Sequence, residues 1–201
     1  TTDESNNLIG TVDTPADIPA GGQQNYVFGF TPNSAFDPTN VEFEFDCTDT
    51  DPASVVAGLN TLLLSASAAP VADIVALAAT LNNDGYVDIP GDTGTGVLAV
   101  AAVNVGAADT ITASSAPSTG LPVTVSLCET DAAGACVAAP TPTVTTSIAN
   151  GATPSFAAFV TGSAAVADDP AANRIAIQFE DSGAVVRGGT SVAVRTVTTP
   201  Q

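Results

Sequence analysis

The chain has no histidine, no tryptophan and no methionine, and its three basic residues (Arg174, Arg187 and Arg195) include no lysine. Each absence closes off some chemistry. Without histidine there is no imidazole to move protons near neutral pH, and neither a Ser–His–Asp nor a Cys–His nucleophile can be assembled. Without lysine there is no Gly-rich, Lys-ended phosphate loop and no Lys–Asn isopeptide crosslink. Paired carboxylates remain open to a glycosidase, but Glu42 and Glu44 alternate with Phe43 and Phe45 and read as the wet face of a strand. We therefore expect no enzyme. The missing methionine and the polar start TTDESNN lead us to expect a chain from which a signal peptide has been removed.

Acidic residues number 21, giving a net charge of −18. That charge repels phosphate backbones and anionic membrane surfaces, so neither nucleic acid nor a membrane is expected as partner. Charged residues are only 12% of the chain, and mean hydropathy is positive at +0.32. The pattern points to much buried apolar surface, with contacts between subunits as one place to bury it. The longest apolar stretch, residues 55–81, is interrupted by Asn60, Pro70 and Asp73. Each piece is shorter than the ~20 residues a membrane-spanning helix needs, so no membrane insertion is expected.

Three cysteines are present. Cys128 and Cys136 lie in SLCETDAAGACVA, where a strand, a turn and a second strand would bring both within bridging distance. We expect a disulfide between them, and with it an oxidising, extracytoplasmic setting. Cys47 is left over, either as a buried free thiol or as a bridge to another subunit.

The chain also repeats itself. Residues 18–45, IPAGGQQNYVFGFTPNSAFDPTNVEFEF, answer to residues 148–179, IANGATPSFAAFVTGSAAVADDPAANRIAIQF. Tyr26 matches Phe156, and Asp37-Pro38 matches Asp169-Pro170. Further on, VVAGLNTLLLS (55–65) matches VVRGGTSVAVR (185–195), with Gly58 against Gly188. Three matched blocks in one order indicate a shared architecture.

That architecture reads as strands. VEFEFD, RIAIQFED and TSVAVRTV alternate with period two, and LPVTVSL, TVTTSI and NYVFGF carry β-branched or aromatic bias. Residues 71–81, VADIVALAATL, fit a strand or a short helix, and the surroundings favour strand. Turn signals every 8–12 residues match an antiparallel sandwich. The expected fold is all-β, two tandem antiparallel β-sandwich domains, 1–115 and 116–201, joined near Ala116-Pro117-Ser118-Thr119-Gly120. A second phasing starts the repeat near Pro70 and makes residues 1–67 the tail half of a preceding unit. Residues 71–113, or a strand from a neighbouring molecule, would then have to complete that unit.

The runs DIVALAATLNNDGYVDIPGDTGTGVLAVAAVNVG, LPVTVSLCETDAAGACVA, DPAANRIAIQFED and GGTSVAVRT resemble repeat modules of large bacterial secreted and surface proteins. The resemblance covers most of the chain from about Val71, and the earlier part through the internal repeat. It implies immunoglobulin-like sandwiches in structural or adhesive roles. It is poor as a function signal, because sandwiches host many unrelated roles.

Calcium is the one cofactor the residues leave room for. In TLNNDGYVDIPG, Asn82, Asp84 and Asp88 fall at ligand positions of a calcium loop, but Thr80 and Gly91 replace the first acidic ligand and the closing Glu. The competing reading is an Asn-Asp-Gly hairpin turn. Asp46, Asp49 and Asp51 form a second acidic cluster whose competing reading is a solvated turn.

The functional expectation is a secreted structural subunit that self-associates into an extracellular filament or surface layer. The candidate pairing segments are LIGTV, with Leu8, Ile9 and Val12, and TSVAVRTV, with Val192, Val194 and Val197. Each could equally be an ordinary strand of its own domain. The alternative expectation is an adhesin or binding module of a cell-surface protein, in a calcium-dependent form.

Overall fold

In the computed structural model, residues 1–5, 7–11 and 14–198 are described. The chain divides into two units, Thr1–Ser34 and Ala35–Gln201. In the first unit, Thr2 forms bridges to Leu8 and Asn25. Asp3 closes the intervening turn by accepting from the backbone N–H groups of Ser5 and Asn7. The expected strand NYVFGF is not formed there; only Asn25 makes a bridge.

The second unit is entirely β. A hairpin comes first, β1 (Phe36–Glu42) with β2 (Thr61–Ala66), and it forms a two-stranded sheet of its own. Nine strands follow: β3 (Ile74–Thr80), β4 (Tyr86–Pro90), β5 (Thr95–Asn104), β6 (Asp109–Pro117), β7 (Val123–Thr130), β8 (Thr143–Ile148), β9 (Ser155–Gly162), β10 (Arg174–Glu180) and β11 (Val186–Val197). They make one sandwich, a sheet ordered β4-β11-β10-β6-β8 against a sheet ordered β3-β5-β9-β7. All pairs are antiparallel except β4 with β11, which runs parallel.

Strand alternation places the core. Leu98 and Val100 of β5, Phe156, Ala158 and Val160 of β9, and Ile175, Ile177 and Phe179 of β10 point between the sheets and are buried. The Phe156 and Phe179 rings meet there, with centroids 5.5 Å apart. One polar side chain is fully buried among them. Asn104 Oδ1 accepts from the N–H groups of Asp73 and Gly106, and Nδ2 donates to the carbonyls of Ala107 and Ile148. All four hydrogen-bonding positions of the amide are filled, which is the condition for burying it. It ties the entry of β3 to the ends of β5 and β8.

The expected joint at 116–120 is therefore not a domain boundary in this structure. It falls at the end of β6, and β6 lies between β10 and β8 in the larger sheet. Strands from both sides of residue 115 share both sheets, so one sandwich spans roughly the second phasing of the repeat. The ambiguous segment 71–81 is strand β3. The turn after it is no hairpin, since β3 and β4 belong to opposite sheets.

Candidate functional site

The acidic turn between β3 and β4 is held by Asn83 and Gly85, both with positive φ (56° and 80°). Asp84 Oδ1 accepts from Tyr86 N–H at 3.0 Å and from the Thr80 hydroxyl at 3.3 Å. Asn82 Nδ2 donates to Asp88 Oδ2 at 3.2 Å. A guanidinium occupies the place expected for a cation. Arg195 on β11 donates through Nε to Asp88 Oδ1 at 2.8 Å and lies 3.6 Å from Asp84 Oδ2 and 3.2 Å from Asp168 Oδ2. Its charge also sits over the Tyr86 ring, 4.1 Å from the centroid.

The parallel register of β4 and β11 creates this contact, because it sets Arg195 opposite Asp88. The Tyr86 N–H, then Thr80 and Arg195, hold the Asp84 carboxyl below its usual range against a smaller opposing effect of burial. The hydrogen bond to Asp88 raises Arg195, with Asp168 adding to it. Burial, then Asp168, raises Tyr86.

Asp46, Asp49 and Asp51 are exposed around a tight turn closed by a Cys47–Thr50 bridge. Among the described residues, no group of three or more His, Cys, Asp or Glu side chains is arranged to hold a metal ion. Cys47 is a free thiol and exposed, which corrects the buried reading. Cys128 and Cys136 are bonded, with Cα atoms 5.5 Å apart. Asp131 caps their turn by accepting from the N–H groups of Ala133 and Ala135.

Of the expected pairing segments, the C-terminal one lies within β11. Val192 and Val194 are buried in β11, whose first part, up to Ala193, pairs with β10 and whose last part, from Ala193, pairs with β4, with Val197 opposite Pro90. Leu8 and Ile9 are 79% and 64% exposed. Val12 lies outside the described residues.

A different surface carries the apolar exposure. On the outer face of the smaller sheet, Val75 pairs with Val103, Leu77 with Ala101 and Ala79 with Ala99, and Val97 pairs with Phe159 beyond them. Leu77 is 72% exposed, Val75 50% and Val97 47%. A solvated antiparallel sheet face normally carries polar side chains; here the β3 side of the face carries methyl groups, with the Phe159 ring beyond them, and hydroxyls such as Thr95, Thr161 and Ser155 lie toward its far side. Strand β3 is also an edge of that sheet. The signal was available in TGVLAVAAVN, where both alternating sets are apolar. A second feature is a groove of about 550 Å³ lined by Leu62 and Leu63 of the hairpin, Ile74 and Ala76 of β3, and Gly188 and Ser191 of β11.

No known protein family matches this chain, and no curated protein matches it. Distantly similar solved structures include the following two. WR4, a C. elegans MSP family member, is 10% identical with a TM-score of 0.33, over 63% of this chain and 97% of WR4. The N-terminal domain of PorA is 11% identical with a TM-score of 0.34, over 63% of this chain and all of that domain. Likeness this slight adds nothing to the fold described above.

Proposed function

We propose that this protein is a secreted structural subunit, an immunoglobulin-like sandwich that self-associates into an extracellular filament or surface layer. The observation that carries the reading is the apolar outer face of β3, β5 and β9. Left in water, such a face forfeits roughly 25 cal/mol for every Å² it could bury, and contiguous exposed apolar patches mark association surfaces. Its position beside the β3 edge suits stacking of sheets, strand addition, or both.

The disulfide supports an oxidising compartment. The net charge of −18 keeps dispersed chains soluble and opposes close packing at low ionic strength. Association should therefore strengthen with salt, which screens exposed charges beyond ~10 Å at about 0.1 M. No catalytic role is proposed. Calcium is not required in this reading, because the Arg195 guanidinium already sits among the carboxylates of the β3–β4 turn.

Negative-stain electron microscopy of native, unheated protein, with and without EDTA, tests the proposal. Filaments or sheets that survive EDTA are expected. Particles that stay dispersed at every concentration and salt level would contradict it.

A further inference from the structure

Three consecutive pairs of the β1–β2 hairpin reproduce the register of β10–β11. Val41 opposite Leu62 stands where Ile175 stands opposite Val192, Asn40 opposite Leu63 where Arg174 is opposite Ala193, and Glu42 opposite Thr61 where Ala176 is opposite Ser191. Over these pairs the internal repeat is thus a repeat of structure. What differs is the surroundings. β10 is flanked by β6, antiparallel, and the end of β11 from Ala193 by β4, parallel, whereas among the described residues β1 and β2 pair only with each other. Val192 is 3% exposed and its counterpart Leu62 38%. In the first unit, taken by itself, Phe30 is 45% exposed, while Val160, at the matching place in the sequence, is fully buried.

We propose that the β1–β2 hairpin is the tail of a second sandwich, and that it receives the front half of a further repeat of the kind formed by residues 71–147. That partner places one strand antiparallel to β1, as β6 lies on β10, and one parallel to β2, as β4 lies on β11. This goes beyond self-association and does not depend on it.

Two observations set the occupant. The first is supply. The chain holds two tail segments, 18–66 and 148–197, and one front half, 71–147, which is already packed on the second tail. A second copy of these residues brings two tails and one front half as well, so exchange between such copies leaves one tail open per copy. The second is charge. Arg174, Arg187 and Arg195 of the second tail answer to Asn40, Ala57 and Ser65 of the first. A front half carrying Asp84 and Asp88 finds its cation at Arg195 and would face Ser65 on the first hairpin, so the front half in this chain is directed to its own tail. A front half matched to the first hairpin carries neutral side chains at the places of Asp84 and Asp88.

Hydrogen exchange tests this on the 201-residue chain and on an extended one. In the extended chain a duplicate of residues 71–147, carrying Asp84→Asn and Asp88→Ser, replaces residues 1–17 ahead of Ile18. In the 201-residue chain, amides 39–42 and 61–64 should exchange at least 100-fold faster than amides 174–176 and 191–194. The extension should slow the hairpin amides 100-fold or more. Equal protection of both hairpins in the 201-residue chain at low concentration would overturn the proposal. So would protection that appears only as concentration rises, which would assign the hairpin to a second copy. A folded extended chain with unprotected hairpin amides would overturn it as well. If the extension does not fold, the comparison within the 201-residue chain decides alone.

Discussion

Truncating a larger side chain should destabilise this protein less than truncating a smaller one, if the two hairpins are repeats in different surroundings. Val192 and Leu62 occupy matching positions, Val192 at 3% exposure between the sheets and Leu62 at 38% on the lone hairpin. Val192→Ala removes two methyl groups from a packed core. At about 1 kcal/mol for each buried carbon, cavity cost included, the loss is about 2 kcal/mol. Leu62→Ala removes three carbons, which in a core would cost about 2–5 kcal/mol. On a half-open surface it should cost less than about 1 kcal/mol.

For a chain of this size, each kcal/mol is worth about 3 °C in Tm. Thermal unfolding followed by circular dichroism should therefore place Val192→Ala about 6 °C below the parent and Leu62→Ala within about 3 °C of it. Urea midpoints should rank the same way at constant slope. A Leu62→Ala variant as destabilised as Val192→Ala would refute the reasoning, because the hairpin would then be packed as tightly as its counterpart.

Asn104→Leu should cost about 3–5 kcal/mol, since it strands the N–H groups of Asp73 and Gly106 and the carbonyls of Ala107 and Ile148 in a dry site, and a urea midpoint would show it. Replacing Cys128 and Cys136 by serine should lower stability by about 2–3 kcal/mol from the small ring alone, read by the same titration. Acid should act through Asp84 and Asp181. For Asp181, burial pushes upward but is outweighed by the Val185 and Gly183 N–H groups and Arg187, and both carboxyls are held below the usual carboxylate range. A depressed folded pKa contributes stability above the unfolded value and loses it as pH falls through the folded one. The urea midpoint should thus hold from neutral pH to about pH 5 and decline below about pH 4. A decline that began near pH 6 would contradict the assignment.

Strand identity was legible where a strand lies within the sandwich. RIAIQFE, TSVAVRTV and TVTTSI alternate and are strands. VEFEFD alternates as cleanly, yet β1 ends at Glu42, and NYVFGF forms no strand. Alternation shows which face would be buried, but supplies no neighbour to bury it against. The domain boundary was misread for a related reason: Pro117 and Gly120 mark a turn, and a turn after a central strand looks the same in sequence as a linker. The Cys128–Cys136 pairing was readable because its geometry is local.

The Arg195 cluster was not readable. The acidic loop showed itself in TLNNDGYVD, but its cation lies 107 residues away from Asp88 and meets it only through the parallel pairing of β4 with β11. Asn104 was invisible for the same reason, being one Asn among several until three chain segments converge on its amide. The apolar outer face was half visible. Positive mean hydropathy with few charges indicated apolar surface in need of a partner, while its location needed the register of β3, β5 and β9.

Self-association through that face is the central claim, and sedimentation velocity across a wide concentration range, at low and moderate salt, tests it most directly. The parent chain should sediment faster as concentration and salt rise, whereas Leu77→Lys, on the outer face and 72% exposed, should remain a single slow species with unchanged Tm. A parent chain that sediments as one concentration-independent species, or a Leu77→Lys variant that associates as the parent does, would contradict the account.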